Sequence, residues 1–495
     1  MRVSSRLVVA LTAIALSACG SGGISLVSSQ PGPSPFISLL RLSGQNITDL
    51  AGVEFTIAPK PGSVSKAVDV WYSIAALEAR GYVTTGSLVV PVFGLYAGYV
   101  NQVSLRLQFQ DGTAQPLAID IPTAAYVDPT DFGDIPYSHP TILKKRVAGS
   151  VLGFDFFVMK SGVESPIVLD TDGEIRWAVP GVANATSSAF QNGEFVIGDA
   201  ATPTVHRLQL DGTLTQNALQ STTYTMFHHN IDPGKRGLLC EVNATDSSVT
   251  NIETTVAEIT DSGSILNQWD LAAILSTYML SQGDDASAFA RPGVDWFHNN
   301  ATTYDQSDDS IIVSSRENFV IKIDYRTGNI IWILGDPTKY WYTFPSLRAK
   351  ALTLAPGGLY PIGQHGLSIT SDGLLMLFND GQGSLNQPAG ASAGQTRTYS
   401  AVSAYSIDEK SMTAQEVWNF DYGQSLYSPF CSSAYESPGQ SILVDYAVAD
   451  ETTQTRLVGL DSSHNVVFDF EYPNVTLCDT SWNALPIGFD NLTIN

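Results

Sequence analysis

The chain has 495 residues and a formal net charge of −23 at pH 7, with 44% hydrophobic and 15% charged residues. This composition is typical of a folded protein with a large core and excludes a disordered chain. The negative charge argues against nucleic-acid binding, because a surface that neutralises phosphates is basic. The 41 glycines and 25 prolines indicate many short strands and turns rather than long helices.

The first residues have the pattern of an export signal. Two arginines precede an apolar run from Leu7 to Leu16, which is too short to span a membrane. The next letters, LSAC, end at Cys19 and resemble the bacterial lipobox, in which the cysteine is lipidated. The alternative is an ordinary signal that is cleaved nearby. We expect a signal peptide over residues 1–18 and a periplasmic protein anchored by lipid at Cys19. Because Gly20 follows rather than Asp, the anchor is expected in the outer membrane.

The next part of the chain predicts a tether and a small domain. Residues 19–35 are rich in glycine, serine and proline, which favours a flexible tether. From 36 to 132, runs such as GVEFTIAPKPG and NQVSLRLQFQDG alternate apolar and polar residues between turns. Such a period of two is typical of strands with one buried face. We therefore predict an N-terminal β-sandwich over residues 36–132.

A hairpin pattern then recurs six times. Each copy has an apolar run, a turn with Asp and often Gly, and a second run that usually ends on an aromatic residue. The copies are SPIVLDTDGEIRWAV, VHRLQLDGTLTQ, VAEITDSGSILNQW, VIKIDYRTGNIIWIL, VSAYSIDEKSMTAQEVW and LVGLDSSHNVVFDF. Chance recurrence of common Asp-Gly turns is the alternative. The fold predicted is all-β, with a six-bladed β-propeller over residues 133–495 that carries insertions.

A second strand pair lies between most of these hairpins. Aligning the turns places His228, His298 and His365 at one register position in three consecutive blades. The first strand of each propeller blade lines the central channel, so these imidazoles should converge at one channel mouth. Arg316 ends the run SIIVSSR in the blade of His298, and a hairpin returns it to the same mouth. Asn300 follows His298 and has Asn230 as its aligned partner.

An oxyanion suits this cluster better than a metal ion. A guanidinium group repels a cation and cannot be deprotonated, and no carboxylate is evident at the same register, so no metal is expected. Arginine offers two parallel donors to phosphate or sulfate, and each imidazole offers one. A neutral imidazole beside a guanidinium group could also act as a nucleophile toward sulfur or phosphorus.

The motifs of this region resemble those of the bacterial arylsulfate sulfotransferases. The matching stretches are DWFHNN…SDDSIIVSSRENFVIKIDYRTGNIIWILGDP, GQHGLSIT…LLMLFNDG and YSIDEKSMTAQEVWNFDYG. The resemblance implies PAPS-independent transfer of a sulfuryl group from a phenolic sulfate to a phenol, by a ping-pong route through a sulfohistidine and without a cofactor. It also implies a sandwich before a six-bladed propeller, a homodimer through the N-terminal domain, and membrane contact only through the lipid anchor.

The resemblance assigns roles motif by motif. The histidine of QH is the nucleophile, the motif DWFHxN supplies a second histidine and an asparagine, and an arginine follows IIVSS. The motif FHHN offers either of two histidines, and the blade register favours the first. The resemblance therefore implies catalytic roles for His365, His298, Arg316 and His228, and substrate binding by Asn300 and His229.

The sequence leaves several points open. Cys240 lies in the apolar run GLLCEVN and is predicted as a buried free thiol, whereas Cys431 and Cys478 either pair or stay reduced. Some family members carry a cysteine pair shortly before the nucleophilic histidine, and this chain has none there. The aromatic residues Trp296, Phe297, Tyr340 and Tyr342 either line a pocket for flat phenols or belong to the core.

Two other functions compete with the enzyme. A non-catalytic, lipid-anchored propeller could serve as a scaffold for envelope partners, but it would not need a ring of histidine and arginine. A quinoprotein dehydrogenase usually has eight blades with Trp-rich repeats, so six blades count against it.

Overall fold

In the computed structural model, the described residues are 23–127 and 140–495, apart from positions 164, 183, 222, 247, 248 and 475. The predicted signal peptide, Cys19 and the domain boundary near residue 132 lie outside these ranges. Within them, no helix has the length and apolar character needed to cross a membrane.

The N-terminal domain is a sandwich of two antiparallel sheets. Its strands are β1 Ser25–Pro31, β2 Ile37–Ser43, β3 Leu50–Ile57, β4 Val68–Ser73, β5 Val83–Thr84, β6 Ser87–Phe93, β7 Val100–Phe109 and β8 Ala114–Pro122. One sheet has the order β1-β2-β6-β5, and the other contains β4-β3-β7-β8. Buried and exposed residues alternate along β7, as the sequence pattern predicts. The inward side chains, among them Leu40, Phe55, Val90 and Leu105, form one core between the sheets.

The tether prediction is wrong from Ser25 onward. Residues 25–31 form β1, which pairs antiparallel with β2 from Ser25 opposite Ser43 to Pro31 opposite Ser38. Most of β1 is exposed, so it is an edge strand that its main-chain hydrogen bonds attach to the sheet. The polar composition that suggested a tether is that of a strand with little buried surface.

Apart from β35, the remaining strands form six sheets, which are the blades of the predicted propeller. The chain enters this region through β9 Thr141–Lys144, and the first blade then takes β10 Phe156–Lys160, β11 Ile167–Asp170 and β12 Ile175–Trp177. The second blade is β13 Ser188–Gln191, β14 Glu194–Gly198, β15 Thr204–Gln209 and β16 Leu214–Ala218, and the third is β17 Tyr224–Pro233, β18 Leu238–Asp246, β19 Val249–Ile259 and β20 Ile265–Asp270. The fourth blade is β21 Asn299–Asp305, β22 Ser310–Ser315, β23 Val320–Asp324 and β24 Ile330–Leu334, and the fifth is β25 Thr353–Leu354, β26 His365–Ile369, β27 Leu375–Asn379, β28 Ala401–Asp408 and β29 Thr413–Phe420. The sixth blade contains β30 Ser433–Glu436, β31 Ile442–Val448, β32 Gln454–Leu460 and β33 Val466–Pro473, and the last two strands are β34 Asn483–Ile487 and β35 Leu492–Ile494.

Each of the six predicted hairpins lies in the outer half of a blade, and one further strand lies beyond the hairpin in the fifth blade (β25) and in the sixth (β9). The first copy is β11 and β12, and the fourth is β23 and β24. The turn chemistry explains the repeat: Asp170 accepts hydrogen bonds from the backbone N–H groups of Asp172 and Glu174, and Gly173 takes a φ of 89° that favours glycine. The prediction of a six-bladed propeller is confirmed.

The ring closes with strands from both ends of the propeller sequence. β34 is the inner strand of the first blade, where it pairs with β10, and β9 is the outer strand of the sixth, where it pairs with β33. The chain then returns to the sandwich, because β35 pairs parallel with β4. The last residues of the predicted propeller range therefore belong to the N-terminal sheet, and they attach the two domains to each other.

Helices are short and lie in the connections. They are α1 Ile74–Ala79, α2 Leu271–Ser281, α3 Pro345–Arg348 and α4 Ala449–Thr452, with 3-10 turns at Gln45–Asp49, Ala286–Ala288, Tyr340–Thr343 and Tyr422–Gln424. The longest, α2, begins where the Asp270 side chain accepts a hydrogen bond from the Ala273 N–H group. It packs on the blade of β21 to β24, together with Trp296 and Phe297.

Candidate active site

Bulges interrupt three consecutive inner strands at the channel mouth. One extra residue stands between Asn299 and Ala301 in β21, and the pairing of β26 shifts after His365. The bulge in β17 is longer, since Phe227 to Ile231 lies opposite only Val242 to Cys240. A bulge interrupts the regular alternation of side-chain direction along a strand. The bulges of these strands therefore direct the histidines toward the mouth.

The longer bulge changes which histidine of FHHN faces the others. His229 and His298 both have a φ of 54°, in the left-handed region, and their Nε2 atoms lie 3.1 Å apart. His228 lies behind His229, with 2.9 Å between their Nδ1 atoms. The register argument favours His228, but the structure places His229 against His298. The extra residue in the β17 bulge is the physical reason for the difference.

His298 lies between two carboxylates that the sequence analysis did not find. Its Nδ1 is 2.5 Å from Asp295 Oδ2 and 2.8 Å from Glu253 Oε2. Burial acts to lower the pKa of His298, but the charges and hydrogen bonds of Glu253 and Asp295 outweigh it and raise the pKa to about 10. His298 is therefore an imidazolium ion at neutral pH. Asp295 stands in the DWFH motif, whereas Glu253 comes from β19 and has no motif to mark it.

His365 is buried and has one nitrogen engaged. Its Nδ1 is 3.0 Å from the Gly363 carbonyl oxygen and 2.8 Å from Asp380 Oδ2. A carbonyl oxygen can only accept, so Nδ1 carries the hydrogen and Nε2 keeps its lone pair. Burial lowers the pKa of His365 well below its usual value, and Arg316, His229 and His298 lower it further. His365 is therefore neutral at pH 7, which a nucleophilic imidazole requires.

Arg316 is fixed on two sides and lies among the histidines. Its Nη1 donates to Glu317 Oε1 at 2.7 Å, and its guanidinium carbon lies 5.1 Å from the centre of the Phe430 ring. Among the described residues, its buried Nη2 has no hydrogen-bond partner. Burial lowers the pKa values of both His229 and His365, and the charge of Arg316 lowers both further.

Asn300 contacts the backbone directly before the nucleophilic position. Its Nδ2 donates to the Gln364 carbonyl oxygen at 2.9 Å. This contact ties β21 to the start of β26 and thereby positions His365. Direct binding of substrate by Asn300 stays a prediction. Its aligned partner, Asn230, has a different role, because it joins the inner cluster described next.

A second group of buried charges, which we call the inner cluster, lies beside the mouth. Its members are Lys160, Asn230, Asp232, Glu241 and Tyr435. Lys160 Nζ donates to Asn230 Oδ1 at 2.5 Å, and Asn230 Nδ2 donates to Asp232 Oδ2 at 2.7 Å. Glu241 Oε2 accepts from the Asn230 N–H group at 2.7 Å. The residue after His229 is therefore held by a network of opposite charges.

A disulfide joins the two segments that bring aromatic rings to the mouth. Cys431 is bonded to Cys478, which settles the pairing that the sequence leaves open. Phe430, next to Cys431, lies over Arg316, and the Trp482 ring is 5.2 Å from that of His229. The N–H group of Ser432 also donates to the Trp482 carbonyl oxygen. Cys240 is buried and free, as predicted.

The aromatic residues proposed for a phenol pocket are mostly core residues. Trp296 and Phe297 are fully buried and pack with Phe289 and Phe319. Tyr340 and Tyr342 are partly buried against the same core. The pocket interpretation is therefore wrong for Trp296 and Phe297, and Phe430 and Trp482 are the rings that touch site residues.

Two sets of side chains at the mouth are close enough to suggest a cation site: His228, His229 and Glu253, and Glu253, Asp295 and His298. The sequence analysis found no carboxylate at the register of the histidines, but Glu253 and Asp295 reach His298 from other positions. However, His298 Nδ1 forms a hydrogen bond of 2.5 Å to Asp295 Oδ2 and an ion pair of 2.8 Å with Glu253 Oε2. Ligand atoms around a tetrahedral zinc ion, with bonds of about 2.0 Å, lie roughly 3.3 Å apart. The geometry is that of an imidazolium ion between two carboxylates.

Comparison with known proteins shows the family to which the chain belongs. Residues 148–483 match the family model for arylsulfotransferase (ASST), and residues 34–124 match that for the arylsulfotransferase Ig-like domain. The chain belongs to the arylsulfotransferase family and is an enzyme of that class.

Two curated relatives and one solved structure show how similar this chain is to known proteins. The arylsulfate sulfotransferase AssT of Escherichia coli O6:H1 (strain CFT073) is 25% identical over 512 residues, with 81% of each chain covered. The AssT of Lelliottia amnigena is 23% identical over 515 residues, again with 81% of each chain covered. The β-propeller domain of Myceliophteria thermophila Cps50 (Swd1) is similar at a TM-score of 0.35 and 11% identity, over 68% of this chain and 97% of that one.

Proposed function

We propose that this protein moves a sulfuryl group from a phenolic sulfate ester to a phenol by a ping-pong route in which His365 carries the group. The observation that supports this most is the state of His365. It is buried and neutral, its Nδ1 is engaged, and it lies in the field of Arg316 and the imidazolium of His298. These are the conditions under which an imidazole attacks an anionic ester.

In the first half-reaction, the lone pair on His365 Nε2 attacks sulfur and the bond from sulfur to the phenolic oxygen breaks. The N–S bond forms and the phenolate leaves with the electron pair of the broken bond. Arg316 Nη2 and His229 are placed to hold the sulfuryl oxygens, and His298 gives its Nε2 proton to the phenolate. The Asp380 carboxyl group at Nδ1 stabilises the positive charge that the ring gains.

In the second half-reaction, a phenol replaces the first product. His298 takes back a proton from the phenol hydroxyl group, the phenolic oxygen attacks sulfur, and the N–S bond breaks. The imidazole of His365 returns to its neutral state. Each proton and electron pair is accounted for by the two substrates and the chain itself, so the route needs no nucleotide sulfate donor such as PAPS.

We also propose that the enzyme works in the periplasm on a lipid anchor at Cys19. The support is the lipobox-like LSAC sequence and the disulfide between Cys431 and Cys478, since disulfides persist in oxidising compartments. Incorporation of labelled palmitate into the full chain, and its loss in Cys19→Ala, would test the anchor. Label that persists in Cys19→Ala would contradict it.

The proposed reaction is tested with 4-nitrophenyl sulfate as the donor and phenol as the acceptor. We expect nitrophenolate release that depends on phenol, and its loss in His365→Ala. His464→Ala is a matched control, because that histidine stacks on Trp418 at the end of an outer hairpin, outside the site. Release without phenol would indicate a sulfatase, and no release with any acceptor would favour a non-catalytic scaffold.

A further inference from the structure

Glu253 reaches the mouth through an irregularity in its strand. β18 and β19 pair with a shift, so that Val242 to Ala244 lies opposite Thr255 to Asn251, and Glu253 lies in the resulting bulge. Its φ is 48°, and its N–H group donates to Asn243 Oδ1 at 2.7 Å. A non-glycine residue in this backbone region is uncommon and is held there by its surroundings. The bulge directs the carboxylate of Glu253 at the mouth instead of along the sheet.

The carboxylates of Glu253 and Asp295 contact the same ring nitrogen, Nδ1 of His298. Its Oε2 lies 2.8 Å from His298 Nδ1 and 3.8 Å from His229 Nδ1, and its side chain is only 18% exposed. Burial acts to raise the pKa of Glu253, but its interactions with His229 and with the imidazolium of His298 hold that pKa well below its usual range. The other titratable or charged groups around the site are His228, Arg316, His365 and Asp380.

One carboxylate is enough to position the imidazole of His298, and this imidazole has two. Asp295, three residues before His298 in the chain, already fixes the tautomer and the ring orientation. The second negative charge makes the proton on His298 harder to remove. It brings the acidity of His298, with a pKa of about 10, close to that of a phenol, which is about 10 for the tyrosine side chain. A proton moves readily in both directions between groups of matched acidity.

We propose that Glu253 is a positioning residue that, with Asp295, sets which phenols this enzyme accepts, by holding His298 as a proton donor and acceptor matched to weakly acidic phenols. This inference rests on the proposed ping-pong function and adds the acceptor class to it. In the acceptor half-reaction the phenolic O–H proton passes to His298 Nε2, while the oxygen lone pair forms the bond to sulfur and His365 Nε2 leaves with the electrons of the N–S bond. Without Glu253, neutral His298 is a weaker base and removes protons only from more acidic phenols.

The test uses 4-nitrophenyl sulfate as the donor and a series of acceptors from methylphenols to chlorinated phenols. In ping-pong kinetics, kcat/KM for the acceptor reports the second half-reaction alone. In Glu253→Gln we expect this value to fall by about tenfold for methylphenols and much less for chlorinated phenols. We expect kcat/KM for this donor to change little, because nitrophenolate is a weak base whose departure depends little on the proton that His298 gives it. Because His298 must be neutral to take the proton, this fall applies above the acid limb of the acceptor profile, and that limb should move down by about 1–3 pH units, the effect of losing one adjacent opposite charge.

Two further variants separate this role from a structural one. Glu258→Gln is the matched control: Glu258 lies on the same strand but accepts hydrogen bonds from Arg236 and Gly237, outside the mouth. Its acceptor series and pH profile should equal those of the unaltered protein. Glu253→Asp keeps the charge and should restore part of the preference for methylphenols. If Glu253→Gln does not fold, Asp295→Asn removes the other carboxylate and should shift the acceptor series in the same direction.

The outcomes distinguish failure of the inference from failure of the proposed function. An equal loss for all phenols with an unmoved acid limb would overturn the role of Glu253, provided that sulfohistidine still forms at position 365. Absence of sulfohistidine in the unaltered protein would overturn the ping-pong route itself.

Discussion

The channel mouth and the inner cluster are both buried groups of polar side chains, but they use their hydrogen-bonding capacity differently. Lys160, Asn230 and Asp232 bond to one another, so the inner cluster is satisfied by the protein. At the mouth, the Nη2 of Arg316 and the Nε2 of His228 have no partner within the part of the chain that is described. Because buried polar groups are normally paired, this difference supports the proposal that a ligand binds at the mouth.

The largest effect on turnover, apart from loss of His365, is expected for Arg316. Arg316→Met removes the cation and the free N–H donors, and we expect kcat/KM for the aryl sulfate to fall by about 10²–10³-fold. Arg316→Lys should recover only part of this, since an ammonium group lacks the planar pair of donors. Arg456→Lys is the control, because Arg456 is also buried but pairs with Asp469 in the sixth blade. An equal loss in both lysine variants would contradict the assignment.

A smaller loss is expected for Asp380, which contacts the ring nitrogen opposite the reacting one. Burial raises the pKa of Asp380 well above its usual value, and Asp380→Asn removes the carboxyl group that could ionise to stabilise the sulfurylated ring, while the Gly363 carbonyl oxygen still fixes the tautomer. We expect a decrease of roughly 10–100-fold in the rate of sulfohistidine formation, measured by rapid quench. Asp445→Asn, an equally buried acid bonded to Ser481, should leave that rate unchanged. Unchanged formation in Asp380→Asn would show that the carboxyl group has no part in this step.

Removal of the disulfide tests whether turnover at the mouth depends on the placement of its aromatic rings. In Cys431→Ser/Cys478→Ser, the segments that carry Phe430 and Trp482 lose their covalent link. We expect kcat/KM to fall by about tenfold, because small misplacement of groups that hold the reacting atoms slows an enzyme. The decrease should appear mainly in KM. Cys240→Ser serves as the control, since that buried thiol is free. Full activity of the double variant would show that packing alone holds the rings.

The smallest effect on turnover is expected for the inner cluster. Lys160→Met leaves Asp232 and Glu241 buried without their cation, which should destabilise the fold by about 3–5 kcal/mol. The activity of the folded fraction at 25 °C should stay within about threefold, because no member of the inner cluster is placed to touch substrate. Thermal unfolding and steady-state rates measure the two quantities. A loss of activity as large as that of Arg316→Met would remove the contrast between the two regions.

The same contrast explains how much could be predicted from the sequence. The outer hairpins follow regular alternation with Asp and Gly at their turns, so all six were found from the pattern. The mouth is built from bulges, and a bulge adds residues that no periodic pattern counts. For that reason the alignment chose His228 over His229. Glu253 comes from a third blade strand with no motif, and only the folded chain brings it to His298.

The central claim is that His365 carries the sulfuryl group between two phenols. It is tested most directly by mixing the full chain with 4-nitrophenyl sulfate in the absence of an acceptor, quenching at alkaline pH, and locating the modification by peptide mass spectrometry. The account predicts one sulfuryl group per chain on the peptide that contains His365, which disappears when phenol is added before the quench. Nitrophenolate release on adding phenol, with no modified peptide at any time, would contradict it.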